Sequence, residues 1–321
     1  MRVLITGMGG ELGTRVANLL EADETISEIV GLDGFPPRRR TTRAEFHRID
    51  PRDRRKAVHL VREFDPEVIL HLGVYEPNAR LGPIEARLAT GASAVSVLGA
   101  ASSCPSLKGI VVRSGIEVYG RRRGAPSRPD DSAPVDPTSP FGRSLAHVEQ
   151  VAGEAALVAG VPVANLRFGP IVGPSFPSPL GRYLRLAAVA VSPVVELPFC
   201  LTHTEDAARA IVAAGLALHD GPLNVVGPGA VTASQAVRRG GRVPVPVMGF
   251  GWRLAALTAE LLGAPLPEHT QELLVRGGVA DGLLATQALD VHPRPTDDVL
   301  DQLYQWGEVT RLSPAPRGAL A

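Results

Sequence analysis

The segment Val3-Leu4-Ile5-Thr6-Gly7-Met8-Gly9-Gly10-Glu11-Leu12-Gly13 narrows the possible folds of this chain more than any other. A short β-branched run meets glycines at 7, 10 and 13, and a helical run through Leu19-Leu20 follows. A strand must therefore turn at once into a helix. The first glycine serves the tight turn, the second lets a pyrophosphate approach the backbone, and the third lets helix and strand pack closely. The phosphates would rest on the unpaired amides of the helix N-terminus. Glycine spacing alone is weak, but here a strand precedes it, a helix follows, and Asp33 ends the next strand about 20 residues beyond Gly13. The segment reads as a dinucleotide loop. Asp33 would bond the adenosine ribose hydroxyls and repel a 2′-phosphate, which favours NAD over NADP. Arg38-Arg39-Arg40 could receive such a phosphate, but reads as a solvated loop.

The remaining periodicity agrees with that start. Apolar runs recur at Ile29-Val30-Gly31-Leu32, Val68-Ile69-Leu70, Ile110-Val111-Val112, Val163-Ala164-Asn165-Leu166 and Leu223-Asn224-Val225-Val226, with helix-like stretches between them. Continuous runs suit strands covered on both faces, hence an α/β fold with a doubly wound, parallel Rossmann-type sheet. Beyond about Pro170 proline and glycine become frequent. The expected division is a dinucleotide-binding domain over 1–172, rejoined by 201–226, and a smaller C-terminal substrate domain over 173–321. Ser313 to Ala321 read as a frayed tail.

Composition removes several functions. With 33 basic and 33 acidic residues the chain has no net field to draw nucleic acid or an anionic membrane. Cys104 and Cys200 are too few for a disulfide framework or zinc cluster and fit a reducing compartment, so no metal is expected. The most apolar stretch, Leu184 to Phe199, is interrupted by Arg185, Pro193, Glu196 and Pro198 and cannot cross a bilayer as one helix. No charged leader precedes the first strand. A cytoplasmic location is expected.

Thr6-Gly7-Met8-Gly9-Gly10-Glu11-Leu12-Gly13 resembles the opening motif of extended short-chain dehydrogenase/reductases, the NAD-dependent epimerase/dehydratase family. Asp65-Pro66-Glu67-Val68-Ile69-Leu70-His71-Leu72, Val118-Tyr119-Gly120, the Leu166 to Pro174 segment and Thr202-His203-Thr204-Glu205-Asp206 match in order along most of the chain. The run Ser234 to Pro246 looks like an actinobacterial branch labelled UDP-glucose 4-epimerase. The resemblance implies cofactor contacts from Gly7, Met8, Gly9, Gly10, Glu11, Leu12, Gly13, Asp33, Asp50, His71, Leu72 and Gly73, with Asp50 beside the adenine. It also implies a homodimer formed by the helices near Leu88–Ala101 and Ser144–Val158.

The resemblance fails at the chemistry. Members of the family use a tyrosine and, four residues later, a lysine whose charge lowers the phenol's pKa, with a serine or threonine on a neighbouring strand. Here Phe141 stands for the tyrosine, Leu145 for the lysine and Gly115 for the serine, leaving Ser114 one residue off. Lysine occurs only at Lys56 and Lys108, and no other tyrosine is followed by one at the fourth position. Ser114 and Glu117 are the residues left to supply catalysis. Pro170 and Phe199 replace an asparagine and an arginine usual in nucleotide-sugar enzymes, while Arg182 and Arg185 are candidate anion contacts. Arg121-Arg122-Arg123 reads as a solvated loop, and His203 as part of a helix start capped by Thr204. Two functions follow: an NAD-dependent enzyme acting on a nucleotide sugar or related hydroxyl or carbonyl compound by a non-standard mechanism, or a non-catalytic NAD-binding sensor or assembly protein.

Overall fold

The computed structural model describes residues 1–78, 81–194 and 196–305, so the expected frayed tail lies outside the described residues. Each apolar run becomes a strand buried on both faces: β1 (Arg2–Thr6), β2 (Glu28–Asp33), β4 (Val68–His71), β5 (Gly109–Gly115), β6 (Val163–Phe168) and β10 (Gly221–Val225). A half-exposed strand, β3 (Glu45–Arg48), closes one edge. All seven run parallel in the order β10-β6-β5-β4-β1-β2-β3, the doubly wound sheet expected from the sequence. At its centre Leu4 pairs with Val30 on one side and Ile69 on the other.

Helices cover both faces. α1 (Glu11–Glu21) and α6 (Thr204–Ala217) pack on one face, where Val16, Leu20 and Ile211 meet Ile5, Leu70 and Leu166. α2 (Arg54–Phe64), α3 (Pro83–Ala101) and α4 (Pro140–Ala159) pack on the other, where Val61, Leu98 and Val148 meet Leu4, Ile69 and Ile110. Each such buried side chain contributes about 1.5–3 kcal/mol, enough to fix register. β10 follows α6 and pairs with β6.

The remaining elements gather around a separate apolar cluster that includes Tyr183, Phe199, Trp252, Leu273 and Leu300. They are the pair β7 (Ile171–Val172) and β9 (Thr202–His203), α5 (Pro179–Leu184), and β8 (Ala188–Val191) paired with β11 (Val243–Pro246). With them lie α7 (Ala233–Arg239), α8 (Gly251–Leu261), α9 (Glu268–Arg276) and α11 (Thr296–Gln305), while α10 (Leu283–Leu289) packs beside β10. Among the described residues no helix is long and apolar enough to cross a membrane.

Strand order reverses between β1 and β4. In open α/β sheets the ligand crevice opens at the carboxyl ends of the strands on either side of such a reversal. The glycine loop, Asp33, His71 and the 3-10 turn Ile116–Tyr119 after β5 all lie at that edge.

Candidate functional site

The glycine loop leaves β1 through Gly7, whose φ of +70° is left-handed and whose missing Cβ would press into the Leu72 carbonyl at 2.6 Å. A Cβ on Gly13 would strike the Gly7 carbonyl, so helix and turn can close only with glycine there. Gly10 is the N-cap of α1, extended and with no side chain in front of the first-turn amides. Those amides have no partner within the helix and form an anion seat. Asp33 is buried at the end of β2 and accepts from the Gly9 amide at 3.1 Å and the Phe35 amide at 3.3 Å. Burial pushes its carboxyl above the usual range, while these amides and the Tyr75 hydroxyl bonded to it pull the other way. Met8 lies buried against Gly31, where any side chain would collide with its sulfur.

Glu11 does not point an unmatched charge at the anion seat. Its buried carboxylate is held by Arg15 at 2.8 Å and Arg39 at 3.4 Å, so Arg39 is engaged rather than free in solvent. Below the loop, Thr6 Oγ1 accepts from the Leu72 and Gly73 amides at 3.0 and 2.9 Å. Its single proton therefore goes to His71 Nδ1 at 3.1 Å, which leaves the imidazole proton on Nε2. Burial lowers the pKa of His71 to about 4, so the ring is neutral. Gly73 has no room for a side chain between Ser93 and Thr6. Asp50 lies at the exposed end of β3, where the Arg52 side chain and amide hold its pKa at about 2. The residues present fit a dinucleotide: a glycine turn against backbone, open helix amides and a carboxylate at the end of the next strand.

At the far end of the crevice stand Gly115, Phe141 and Leu145, the positions that the sequence resemblance assigns to catalysis. Phe141 and Leu145 lie in the first two turns of α4, and Leu145 is packed into the core. A Cβ at Gly115 would collide with the carboxylate of Glu117 and press on a Leu145 methyl at 3.1 Å. The Glu117 carboxylate thus occupies the space that a serine at 115 would need. The Phe141 ring carries the imidazole of His269, centroid to centroid 4.6 Å, and His269 Nε2 lies 3.0 Å from Glu76 Oε1. Glu76, Arg113, Gly115, Glu117, Phe141 and His269 line one cavity of about 30 Å³, room for a water or two. Burial raises the Glu117 carboxyl, and Arg121 and His269 pull it back down. Arg113 donates to the Val74 carbonyl at 3.0 Å and faces both Glu76 and Glu117. A carboxyl raised by burial, beside two guanidiniums and an imidazole–carboxylate pair, has the groups needed to pass a proton.

Glu76 and His269 were not singled out by sequence reasoning. Glu76 had a readable signal, since it follows β4 on the ligand edge. His269 had none, because α9 is brought there only by the C-terminal packing. Ser114 lines the same cavity, but its hydroxyl is already bonded. The Ser114 hydroxyl donates to Glu149 at 2.5 Å, in a buried network in which Arg167 binds Glu149 at 2.7 and 3.0 Å and Tyr119 at 3.0 Å. That network ties β5, β6 and α4 behind the cavity. Arg182 donates to the Gly263 carbonyl and Arg185 to the Leu303 carbonyl, and neither lines the cavity. The α6 start is capped by the His203 ring accepting from the Glu205 amide at 3.2 Å. Thr204, the expected cap, instead donates to the Val172 carbonyl.

Residues 3–225 match the model of the NAD dependent epimerase/dehydratase family. An uncharacterized protein of Mycobacterium tuberculosis is 30% identical over 268 residues, 79% of this chain and 70% of the relative. Among solved structures, the UDP-glucuronic acid 4-epimerase of Bacillus cereus, in complex with UDP-glucuronic acid and NAD, superposes with a TM-score of 0.73 at 18% identity. The match covers 96% of this chain and 99% of that one. The dTDP-glucose 4,6-dehydratase of Bacillus anthracis, in complex with NAD, gives 0.72 at 19% identity, covering 97% of each chain.

Proposed function

This chain belongs to the NAD dependent epimerase/dehydratase family, and from that premise we propose that it binds NAD at the glycine loop and uses Glu117 in place of the family's tyrosine. The carrying observation is the Glu117 carboxylate seated over Gly115, in the space a serine side chain would fill. Its substrate would be a hydroxyl or carbonyl compound of the nucleotide-sugar type, as bound by the Bacillus cereus epimerase. NAD supplies a hydride acceptor and donor when bound. Glu117 takes the proton of the substrate hydroxyl and gives it back. Arg113 and Arg121 offset the negative charge that Glu117 carries when ionised. His269, steadied by Glu76 and the Phe141 face, offers a ring nitrogen to the same oxygen. Asp33 favours NAD over NADP.

The test is product analysis by chromatography and mass spectrometry across a panel of sugar nucleotides and small alcohols, with absorbance near 340 nm for any net oxidation. Conversion of at least one compound that falls in Glu117→Gln is the expected result. If no compound is converted, the non-catalytic sensor reading takes over. One observation favours that second reading: a cavity of about 30 Å³ holds water but not a sugar unless α9 moves away.

A homodimer through α3 and α4 belongs to the same proposal. Ile84, Leu88 and Val95 are exposed along one stripe of α3, with open space beside Gly91 and Gly99. Leu157 and Val158 extend the apolar surface from α4. Leu88→Asp should shift the sedimenting species from dimer to monomer; unchanged sedimentation would reject this interface.

A further inference from the structure

A concentration of positive charge lies outside both the cofactor crevice and the Glu117 cavity. A groove of about 680 Å³ runs between the loop after the 3-10 turn and the segments at 197–198 and 276–279. Of its sixteen lining residues five are arginine (Arg121, Arg122, Arg123, Arg128 and Arg276) and none is acidic. That imbalance stands out in a chain whose 33 basic residues are matched by 33 acidic ones.

Counter-charges lie only at the groove's margins. Arg122 meets Asp136 at 3.2 Å, Arg128 meets Asp281 at 3.6 Å, and Arg276 meets Glu272 at 3.5 Å, with each arginine more than half exposed. Such exposed pairs are worth no more than about 1 kcal/mol and leave the guanidiniums free to turn to a stronger partner. Arg123 is exposed and has no ion-pair partner among the described residues. Arg121 is held in place by donating to the Gly277 carbonyl, and Arg276 donates to the Arg121 carbonyl at 3.2 Å. Pro126 and Pro129 restrict the facing loop. The result is a restrained pocket of planar, forked donors.

We infer that this groove is a binding site for a small polyphosphate-bearing ligand, distinct from the glycine loop. Guanidinium groups match phosphate oxygens two at a time, and a diphosphate can engage several of them at once. The volume suits a small molecule, and the chain's neutral balance offers no wider field for a nucleic acid strand. Arg121 of the groove also interacts electrostatically with Glu117. The site does not depend on NAD binding or on Glu117 acting in catalysis.

The probe is inorganic pyrophosphate titrated calorimetrically into the whole protein, with sulfate as control, at low salt and again near 0.15 M. Binding that prefers pyrophosphate, weakens with salt, and falls at least about tenfold in Arg122→Ala/Arg123→Ala/Arg128→Ala is expected. Because these three side chains are exposed, the variant should melt where the parent does; the single Arg123→Glu change serves if it does not. Binding unchanged in these variants would place the anion on the glycine loop and overturn the inference. Failure of the parent to bind pyrophosphate, or equal binding of sulfate, would overturn it as well.

Discussion

The two ends of the crevice contrast. At the cofactor end the structure gives a steric reason for the glycines: Gly7 and Gly13 stand where any side chain would meet backbone. At the other end stand Gly115, Phe141 and Leu145, where the sequence resemblance leads one to expect serine, tyrosine and lysine, and the space is not left empty. Gly115 is roofed by the Glu117 carboxylate, Phe141 by His269, and Leu145 is sealed into the core. Among the apolar side chains of this pocket stand two carboxylates, an imidazole and the Arg113 guanidinium.

That contrast can be broken most forcefully at Glu117. With a substrate in hand, Glu117→Gln should lower turnover by about 10²–10⁴-fold, as removal of positioned acid–base chemistry does, while NAD affinity holds. Equal turnover would mean that the carboxylate is a bystander. The same variant should also change the pH dependence of stability. Because burial raises the folded-state pKa of Glu117, its contribution is present below the unfolded value of about 4.3 and is lost as pH rises. Glu117→Gln should therefore gain on the parent in thermal melts from pH 4 toward neutrality; a constant difference would remove the burial argument.

His71 gives the opposite sign at the cofactor end. Its folded pKa of about 4 lies below the ordinary 6.5, so its neutral ring favours the folded state above that value. Up to about 3 kcal/mol should be lost as pH falls from roughly 6.5 to 4. A His71→Asn protein that loses stability over the same interval would show that another group is responsible. Next in size is Gly13→Val, which forces a side chain against the Gly7 carbonyl. A loss of about 1–3 kcal/mol from overpacking and of measurable NAD binding is expected, and retention of both would mean that the loop is not built as described. Smallest is Asp33→Ala, for which NAD should bind about tenfold more weakly, near 1.4 kcal/mol, with less preference over NADP. Undiminished preference would shift that role to another residue.

The legibility of the two ends in the sequence differed for a physical reason. The glycine loop, β1 and Asp33 are local: a turn, a helix start and a strand end all lie within one short stretch, so residue types alone convey the geometry. The doubly wound sheet was readable because its strands are buried on both faces and appear as continuous apolar runs. β3, Glu-Phe-His-Arg on an exposed edge, carries no such signal and was missed. The absence of Tyr and Lys was equally plain. What replaced them was only half visible. Glu117 follows its strand directly, but the pair between Glu76 and His269 spans 193 residues and exists only because α9 folds back over α4. Ser114, a readable polar residue, lines the cavity, while its hydroxyl bonds the buried Glu149–Arg167 pair, a partnership only the fold reveals.

The most direct measurement is mass spectrometry of whatever small molecule leaves the purified protein on denaturation, followed by NAD titration if nothing leaves. NAD at one per chain, or saturable NAD binding that Gly13→Val abolishes, is the expected result for a crevice whose cofactor end is intact. A protein that releases no dinucleotide and shows no saturable NAD binding would contradict it, and the glycine loop would then be a structural turn alone.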